Sequence, residues 1–364
     1  MKICVPEHIL AIKPYTPGKN PNEIKKEMGG PDAVKMASNE NPLGMSPDVR
    51  DAVSRSLATV NRYPDGHGDE LRTCIARKNN VDMENVVLGN GSDDIIYMMA
   101  RAFLKENDEV AIPFPSFSMY EIAVKSSGAI PVFAPLKSYS LDPDAIIKAV
   151  TPKTRMVFIC NPNNPTGSIL VKEQFDALLD RIAPDIPIVV DEAYIEFVRN
   201  ADCMKGIDYI KSKNPVVVLR TFSKIYGLAG LRIGYGIMPV EISGILNRIR
   251  APFNTNSLAQ VAACAALNDD NFANQTKKLA HDGLDFLYAA FDAMGIKYIK
   301  SEANFVLIHL GDSCEAVFDM LLSEGFIARS MASSGLPGHM RVSIGTRAEN
   351  EAFANALGKI LKKI

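Results

Sequence analysis

The sequence contains no block of basic residues and no stretch in which basic and aromatic residues are interleaved. Its 40 lysines and arginines are nearly balanced by 42 aspartates and glutamates, and the formal net charge is -2. Binding to nucleic acid or to an anionic membrane surface depends on a concentrated positive field, which this chain lacks. We therefore expect neither nucleic acid nor a membrane among its partners.

Long apolar runs are missing as well. No segment approaches the roughly 20 consecutive apolar residues that a membrane-spanning helix requires. Residues 1–15, MKICVPEHILAIKPY, are interrupted by proline, glutamate and histidine within their apolar part, so they do not read as a signal peptide. The sequence therefore predicts a cytoplasmic protein. It also contains no internal repeat and no low-complexity segment.

Cysteine and histidine are too few and too scattered to form a disulfide framework or a metal site. The six cysteines are dozens of residues apart, a distribution typical of reduced thiols. The five histidines show no ligand spacing, so we predict no bound metal. The cysteines are Cys4, Cys74, Cys160, Cys203, Cys264 and Cys314, and the histidines are His8, His67, His281, His309 and His339.

The chain has enough apolar material for a large core. It has 364 residues, of which 47% are hydrophobic and 23% charged, and this length predicts two domains. Strand and helix patterns alternate through the middle of the chain, which predicts an α/β fold with a mostly parallel, doubly wound sheet. Long helices and then short strands follow, a pattern typical of a smaller α+β domain. We predict an N-terminal arm that packs with the small domain (1–35), a large domain (36–250) and a small C-terminal domain (251–364).

The most informative stretch is residues 216–236, VVVLRTFSKIYGLAGLRIGYG. It begins with a continuous apolar run, typical of a strand buried on both faces, and continues with Thr221, Ser223 and Lys224. Arg232 follows among apolar residues, and a guanidinium buried there needs a partner anion. A single lysine or arginine is more often a solvated surface charge. Hydroxyls, lysine and arginine converging at one strand end suggest a phosphate with an aldehyde attached.

Two segments upstream also suggest a ligand. Residues 86–92 read as a strand and a tight turn, and Asp93 begins a helix whose first N–H groups can bind a phosphate. The same residue types also cap ordinary helices. Phe117 lies in the loop PSFSMY, where its ring either stacks on a planar ligand or belongs to the core.

Two further segments follow predicted strands. The stretch CNPNNPTG, residues 160–167, is dense in asparagine, proline and glycine and predicts a non-helical turn that projects amide side chains. Asp191 lies at the carboxyl end of an apolar run, which is where open α/β sheets bind ligands. A carboxylate there is costly unless it faces a cation, and Tyr194 can bring a phenol to the same place.

Together these motifs resemble those of the fold type I pyridoxal-phosphate aminotransferases. Within that group the chain is similar to the histidinol-phosphate aminotransferases. The resemblance extends from Tyr15 to Gly345, and it implies pyridoxal 5'-phosphate as the cofactor and a homodimer with shared active sites. The motifs are SNENPLG, RYPDG, GNGSDD, CNPNNPTG, DEAY, TFSK with GLAGLRIGY, and RVSIG.

The resemblance implies how the cofactor ring is held. Lys224 would bind it as a Schiff base and then serve as the base that moves a proton. Asp191 would face the pyridine nitrogen and keep it protonated. Asn164 and Tyr194 would hydrogen-bond the ring's 3' oxygen, and Phe117 would stack on its face, where many relatives use tyrosine.

The resemblance also implies residues for the cofactor phosphate and the substrate. From a neighbouring subunit, Tyr63 would reach the phosphate and Tyr15 the substrate. Arg341, assisted by Arg329, would bind the substrate's anionic end, which is either a phosphate or a carboxylate. The phosphate group itself would lie among Ser92, Asp93, Thr221, Ser223 and Arg232.

The predicted activity is amino transfer from L-histidinol phosphate to 2-oxoglutarate in L-histidine biosynthesis. Ser333 and Ser334 stand where relatives often carry glycine and tyrosine, so the wall of the substrate pocket does not separate this activity from two others. These are aromatic amino-acid aminotransferase and threonine-phosphate decarboxylase. A non-enzymatic regulatory module is a third alternative, although the chain has no basic helix-turn-helix extension.

Overall fold

The computed structural model of the protein describes residues 3–14, 18 and 33–364. Tyr15, predicted to reach a neighbouring subunit's substrate, lies outside these residues. The strands are β1 (Val34–Lys35), β2 (Val86–Gly89), β3 (Glu109–Phe114), β4 (Ile130–Pro135), β5 (Thr154–Cys160), β6 (Ile188–Asp191), β7 (Val216–Thr221), β8 (Gly234–Ile237), β9 (Lys297–Ile299), β10 (Phe305–His309), β11 (Phe326–Ile327), β12 (Arg329–Ser330) and β13 (His339–Ser343).

The helices lie between these strands and at both ends of the described chain. They are α1 (Glu7–Leu10), α2 (Pro47–Ser56), α3 (Asp69–Asn79), α4 (Ser92–Phe103), α5 (Met119–Ser126), α6 (Pro143–Ala149), α7 (Lys172–Leu179), α8 (Val240–Ile249), α9 (Ser257–Asn268), α10 (Asp270–Met294), α11 (Cys314–Ser323) and α12 (Arg347–Leu361). Among the described residues, no helix is both long and apolar enough to cross a membrane.

A seven-stranded sheet forms the centre of the larger part of the molecule. Its strand order is β2-β8-β7-β6-β5-β3-β4. The strands from β7 to β4 pair in parallel, whereas β8 runs antiparallel to both β7 and β2. The carboxyl ends of the parallel strands therefore meet at one edge of the sheet, where α/β proteins bind their ligands.

Helices cover both faces of this sheet, which explains the continuous apolar runs in its strands. Because side chains alternate between the faces of a strand, Val216 and Val218 pack in one core cluster and Val217 and Leu219 in the other. Helices α4, α5 and α8 contribute to the second cluster, and α3, α6, α7 and α9 to the first. Because helices pack on both faces, the strands and their carboxyl ends, which carry the polar side chains of the site, are held in place.

The smaller sheet is antiparallel and has the order β12-β13-β10-β9. Helices α10, α11 and α12 pack on it and share a third core cluster. Arg329 of β12 and Arg341 of β13 are paired across neighbouring strands, so the two arginines lie side by side. The N-terminal strand β1 pairs in parallel with β11, which attaches the segment before Met36 to this part of the molecule.

The domain boundaries at 35/36 and 250/251 stay predictions. Helix α9 follows the second boundary, yet its Ala259, Ala262 and Ala263 are buried in the core cluster of the large sheet. Leu284 and Leu287, further along within α10, are buried in the cluster of the small sheet. This packing favours a boundary within α10, because a domain is defined by the core that its residues share.

Candidate active site

A cavity of about 260 Å³ opens at the carboxyl edge of the large sheet, between that sheet and the small one. It brings together side chains that are far apart in the sequence. The predicted site residues that line it are Ser92, Asp93, Phe117, Asn164, Asp191, Tyr194, Thr221, Ser223, Lys224, Arg232, Arg329 and Arg341.

Tyr63 does not line the cavity of its own chain. Its side chain is 82% exposed, and its ring stacks on Phe253 with the centroids 4.6 Å apart. Phe253 is itself partly exposed and has a positive φ of 55°, which is rare for a bulky side chain. The two rings form an exposed aromatic pair on the outside of the molecule.

Asp191 lies at the end of β6 and is almost completely buried. Its Oδ2 accepts a hydrogen bond of 2.7 Å from the Tyr120 hydroxyl, and its Oδ1 accepts one of 3.1 Å from the Ala193 N–H. Burial raises the pKa of Asp191 to about 6, against the lowering effect of these two hydrogen bonds. A cationic N–H placed at this carboxylate would stabilise its charged form and offset the cost of burying it.

Tyr120 is a site residue that the sequence reasoning missed. It is fully buried, its ring stacks on Phe158 at 4.7 Å, and its edge meets Phe117 at 5.5 Å. Because a buried tyrosine hydroxyl needs a partner, its position three residues after Phe117 was a usable signal. Cys160 and the segment from Ala37 to Glu40 also line the cavity. The motifs CNPNNPTG and SNENPLG include Cys160 and Ser38 to Glu40, but these residues were not predicted as site residues.

Asp191→Asn is expected to stabilise the cofactor-free protein at pH 8. Holding this carboxylate charged costs folding free energy, because its pKa rises from about 3.8 in the unfolded chain to about 6. The carboxyl favours folding only when protonated, and this contribution is lost as the pH rises through 6. We expect a gain of about 1–2 kcal/mol in the free energy of unfolding, allowing for the poorer fit of an amide beside the Ala193 N–H.

Urea unfolding of the cofactor-free Asp191→Asn variant and of the unmodified protein, at several pH values, measures this effect. The advantage should be constant above pH 7 and shrink as the pH falls from 6 towards 4. An equal or lower stability of the variant at pH 8 would show that the buried carboxylate is fully compensated by its two hydrogen bonds.

Lys224 lies three residues after the end of β7. Its Nζ donates a hydrogen bond of 3.0 Å to the Ser38 carbonyl oxygen and lies 5.8 Å from the centroid of the Tyr194 ring. Burial lowers the pKa of Lys224 to about 8, and the positive charge of Arg341 acts in the same direction. At pH 7 roughly a tenth of this amine is therefore uncharged, far more than of an ordinary lysine, and the uncharged form can act as a nucleophile or base.

The start of α4 forms a concave surface suited to an anion. Gly91 precedes the helix with a φ of 83°, and a Cβ added there would collide with the guanidinium of Arg232. A Cβ on Gly234 would collide with the backbone at Ser92. The helix N–H groups, the nearby arginine and the absence of side chains at both glycines together fit a phosphate group.

The hydroxyls of Thr221 and Ser223 complete this surface and are bonded to each other at 3.0 Å. The carboxylate of Asp93 faces Arg232, with 3.7 Å between Oδ2 and Nη2. An anion here would be repelled by that carboxylate, so Asp93 can assist only through its backbone N–H. Burial raises the pKa of Asp93, and the positive charge of Arg232 acts in the opposite direction.

Arg232 is more exposed than the sequence predicted. The apolar neighbours of Arg232 predicted a buried guanidinium, but its side chain is 44% exposed. The reason is its left-handed backbone, with a φ of 57°, between a short 3₁₀ helix (Ala229–Leu231) and β8. This bend turns the side chain out of the strand and towards the cavity mouth, where Nη1 donates to the Ala229 carbonyl oxygen at 3.1 Å.

Two hydrogen-bond donors converge beside Lys224. Arg341 Nη1 donates to Asn164 Oδ1 at 2.6 Å, so the amide N–H₂ of Asn164 is the part that remains for a ligand. Asn39 Nδ2 donates to the Tyr194 hydroxyl oxygen at 2.9 Å, so the hydroxyl proton remains for a further acceptor. A pair of donors of this kind fits an anionic oxygen.

The opposite wall of the cavity carries positive charge. Arg341 is 9% exposed, and its Nη2 donates to the Ala37 carbonyl oxygen. Arg329 lines the same wall from the adjacent strand. Ser334 and Ser116 line a smaller cavity beside both arginines, so the segment in which the sequence departs from its relatives borders this wall.

Comparison with known proteins agrees with this geometry. Residues 31–357 match the family described as aminotransferase class I and II. Histidinol-phosphate aminotransferase of Moorella thermoacetica is 43% identical over 98% of this chain and 92% of its own length. Histidinol-phosphate aminotransferase 2 of Carboxydothermus hydrogenoformans is 42% identical over 96% of this chain and 97% of its own.

A solved structure gives the same result for the fold. The crystal structure of histidinol-phosphate aminotransferase from Sinorhizobium meliloti in complex with pyridoxal-5'-phosphate superposes with a TM-score of 0.90. It is 25% identical, and the match covers 98% of this chain and 97% of that one. The predicted α/β fold of a fold type I transferase is thereby confirmed. The chain belongs to the class I and II aminotransferase family.

Proposed function

We propose that this chain is a histidinol-phosphate aminotransferase that uses pyridoxal 5'-phosphate. It would transfer the amino group of L-histidinol phosphate to 2-oxoglutarate, giving imidazole-acetol phosphate and L-glutamate, a step of L-histidine biosynthesis. The observation that carries the proposal is one cavity that holds Lys224 together with Arg341 and Arg329. Relatives that cover nearly the whole chain, at 42% and 43% identity, bear this name.

The residues of the cavity fit each part of this cofactor. The glycine-lined start of α4 with Arg232 suits its phosphate, and the buried Asp191 suits a protonated pyridine nitrogen. The donors of Asn164 and Tyr194 suit an anionic ring oxygen. When bound, the cofactor supplies an electron-withdrawing ring that stabilises negative charge on the carbon bearing the amino group.

The chain's own residues would then position the substrate and move its proton. Lys224 Nζ would take the proton from that carbon and deliver it to the cofactor carbon C4′. Its lowered pKa makes the uncharged amine more available than in an ordinary lysine. Asp191, whose pKa is raised by burial, would hold the ring nitrogen in its protonated form by charge attraction. Phe117 would limit the movement of the ring, because its own ring is anchored edge-on against Tyr120.

Arg341 and Arg329 would hold the anionic end of either substrate. The fork of a guanidinium binds a carboxylate or a phosphate with two parallel hydrogen bonds, so one pocket can serve both glutamate and histidinol phosphate. The hydrogen bonds of Arg341 to Asn164 and Ala37 support this role, since they hold its side chain in a fixed orientation.

The test is a half-reaction without 2-oxoglutarate. Purified, cofactor-loaded protein is mixed separately with L-histidinol phosphate, L-phenylalanine and O-phospho-L-threonine, and the cofactor absorbance is followed. We expect histidinol phosphate alone to convert the aldehyde form of the cofactor rapidly at low concentration. Carbon dioxide release and keto-acid formation are measured in the same samples.

Each alternative has its own outcome in this experiment. Comparable conversion by phenylalanine would assign an aromatic amino-acid aminotransferase, and carbon dioxide release from phosphothreonine would assign the decarboxylase. Cofactor binding without turnover of any of these three compounds, or of L-glutamate in a fourth sample, would assign a regulatory module.

We further propose that the enzyme is a homodimer with shared active sites. Tyr63 stands outside the cavity of its own chain and stacks on the exposed Phe253, and Leu57 and Val60, a few residues earlier in the chain, are exposed as well. Such an apolar surface is typical of a subunit interface. In the dimer, Tyr63 would reach the cofactor phosphate of the partner, and Tyr15 would reach the partner's substrate.

We also propose that the enzyme works in the cytoplasm with small-molecule substrates and without bound metal. All six cysteines lie in the described part of the chain and are free thiols, which suits a reducing compartment. The balanced charge of the sequence supports the absence of a nucleic-acid partner.

A further inference from the structure

Asn39 is buried at the junction of the N-terminal segment, the large sheet and the small sheet. It is 1% exposed and has a φ of 56°. Its backbone N–H donates to Ser343 Oγ at 2.8 Å, and its carbonyl oxygen accepts from Asn304 Nδ2 at 3.0 Å. Its side chain reaches the Tyr194 hydroxyl. Asn39 therefore links the end of β13 to a residue that follows β6.

The hydrogen-bond network sets the orientation of the Asn39 amide. Ser343 Oγ accepts the Asn39 N–H, and its own proton is donated to Asn39 Oδ1 at 2.8 Å. The amide oxygen is thus occupied, which leaves the N–H₂ group facing Tyr194. The reverse orientation would place two donors against Ser343 Oγ and remove the acceptor of its proton.

This orientation determines the direction of the Tyr194 hydroxyl proton. Because Asn39 Nδ2 donates to Tyr194 Oη at 2.9 Å, the phenol is the acceptor in this bond and its proton points elsewhere. Tyr194 is 4% exposed, and both it and Asn164 line the cavity beside Lys224. The proton's remaining direction is therefore into the cavity.

We propose that Asn39 is a positioning residue that turns the Tyr194 hydroxyl proton towards the oxygen of the cofactor ring. This inference rests on the proposed function. It goes beyond the role given to Tyr194, because it assigns the donor direction of that phenol to Asn39 of the SNENPLG segment, a residue for which the sequence predicted no role. An acceptor in place of the amide N–H₂ would draw the proton away from the cavity.

The positive φ of Asn39 supports the choice of variants. Asparagine, aspartate and glycine adopt this left-handed conformation more easily than alanine, so Asn39→Asp and Asn39→Gly add little backbone strain. Asn39→Asp keeps the shape of the side chain but replaces the N–H₂ donor that faces Tyr194 with an acceptor, because a carboxylate accepts the phenol proton. Asn39→Gly removes the side chain altogether. Ser343→Ala removes the partner that fixes the amide.

The readout is the pKa of the nitrogen that joins Lys224 to the cofactor, measured from the absorbance of cofactor-loaded protein against pH. A hydrogen bond from Tyr194 to the adjacent ring oxygen stabilises the negative charge of that oxygen. This charge is least compensated when the nitrogen is uncharged, so the hydrogen bond favours the uncharged form and lowers the pKa of the nitrogen. Tyr194→Phe removes the donor and should raise it by about one unit. Asn39→Asp should raise it by a similar amount, and Asn39→Gly and Ser343→Ala by less.

The added charge of Asn39→Asp needs a control, because a carboxylate raises the pKa of a nearby cation through space. The variant is therefore repeated in the Tyr194→Phe background, where no phenol proton can be redirected. The charged groups that face Tyr194, namely Arg341, Asp191 and Lys224, are unchanged in every variant. We expect most of the Asn39→Asp shift to disappear in this background.

Two results would overturn the inference. One is an Asn39→Asp protein that binds the cofactor and titrates like the unmodified protein. The other is an equal shift in both backgrounds, which would assign the whole effect to charge. If Asn39→Asp does not fold, an unshifted Ser343→Ala titration overturns the inference in its place. Failure of the cofactor assignment is separate, because the unmodified protein would then show no titrating cofactor absorbance. Failure of the substrate assignment is detected by the half-reaction with histidinol phosphate, which this titration does not use.

Discussion

Lys224→Ala is expected to lower the rate of amino transfer by at least about 10⁴-fold while the protein still folds. The variant loses the amine that is proposed both to bind the cofactor covalently and to move the proton, and a positioned base alone contributes about 10²–10⁴. Stability should not fall, because burial already disfavours the charged lysine and lowers its pKa to about 8. Steady-state kinetics, thermal unfolding and the cofactor absorbance of the variant measure these effects.

Lys224→Arg is the matched control. It keeps a positive charge near the Ser38 carbonyl oxygen, to which Lys224 donates at 3.0 Å, but a guanidinium is protonated at all working pH values. It should be as inactive as the alanine variant. Turnover within tenfold of the unmodified protein in either variant would remove Lys224 from the proposed mechanism.

The same inactive protein tests whether the sites are shared. Tyr63→Ala should weaken cofactor binding, because it removes a contact made in the partner's site. Mixed dimers of the Lys224→Ala and Tyr63→Ala chains contain one site with both residues intact, so mixing should restore activity above that of either parent. If Tyr63 acts within its own chain or not at all, mixing will give only the average of the parents.

Arg341→Ala is expected to lower kcat/KM by about 10³-fold for both substrates. Removing a guanidinium from a buried charge pair with a carboxylate or phosphate costs about 3–5 kcal/mol, and each 1.4 kcal/mol is tenfold. The loss should appear mainly in KM. Cofactor affinity should change by only a few fold, because the predicted phosphate residues lie at the start of α4, at the end of β7 and before β8, and none lies on β13.

Arg341→Lys provides the control for charge alone. Lysine keeps the positive charge but not the planar fork that binds two oxygens, so its kcat/KM should lie between those of the other two proteins. In the alanine variant the pKa of Lys224 should also rise, since the charge of Arg341 helps to lower it. An unchanged KM for both substrates in Arg341→Ala would place the anion pocket elsewhere.

The local sequence was sufficient for the elements whose signal is contained in a few neighbouring residues. The apolar run at 216–219 predicted the buried strand β7, and the residues around Gly91 predicted the start of α4, because burial on two faces and helix initiation are local patterns. The motifs around Lys224, Asp191 and Asn164 also named side chains that share one cavity. Their chemical roles stay predictions until the variants are measured.

Only the tertiary structure identified the residues that orient this site. Tyr120 bonds Asp191 across 71 positions, Asn39 bonds Tyr194 across 155, and Asn39 bonds Ser343 across 304. No local pattern marks such pairs, because a hydrogen bond requires only that two groups meet at about 3 Å once the chain has folded. The sequence motifs thus indicated the family, and they named Lys224 as the candidate reactive lysine. The packing of the two sheets decided which neighbours each of these candidate groups contacts.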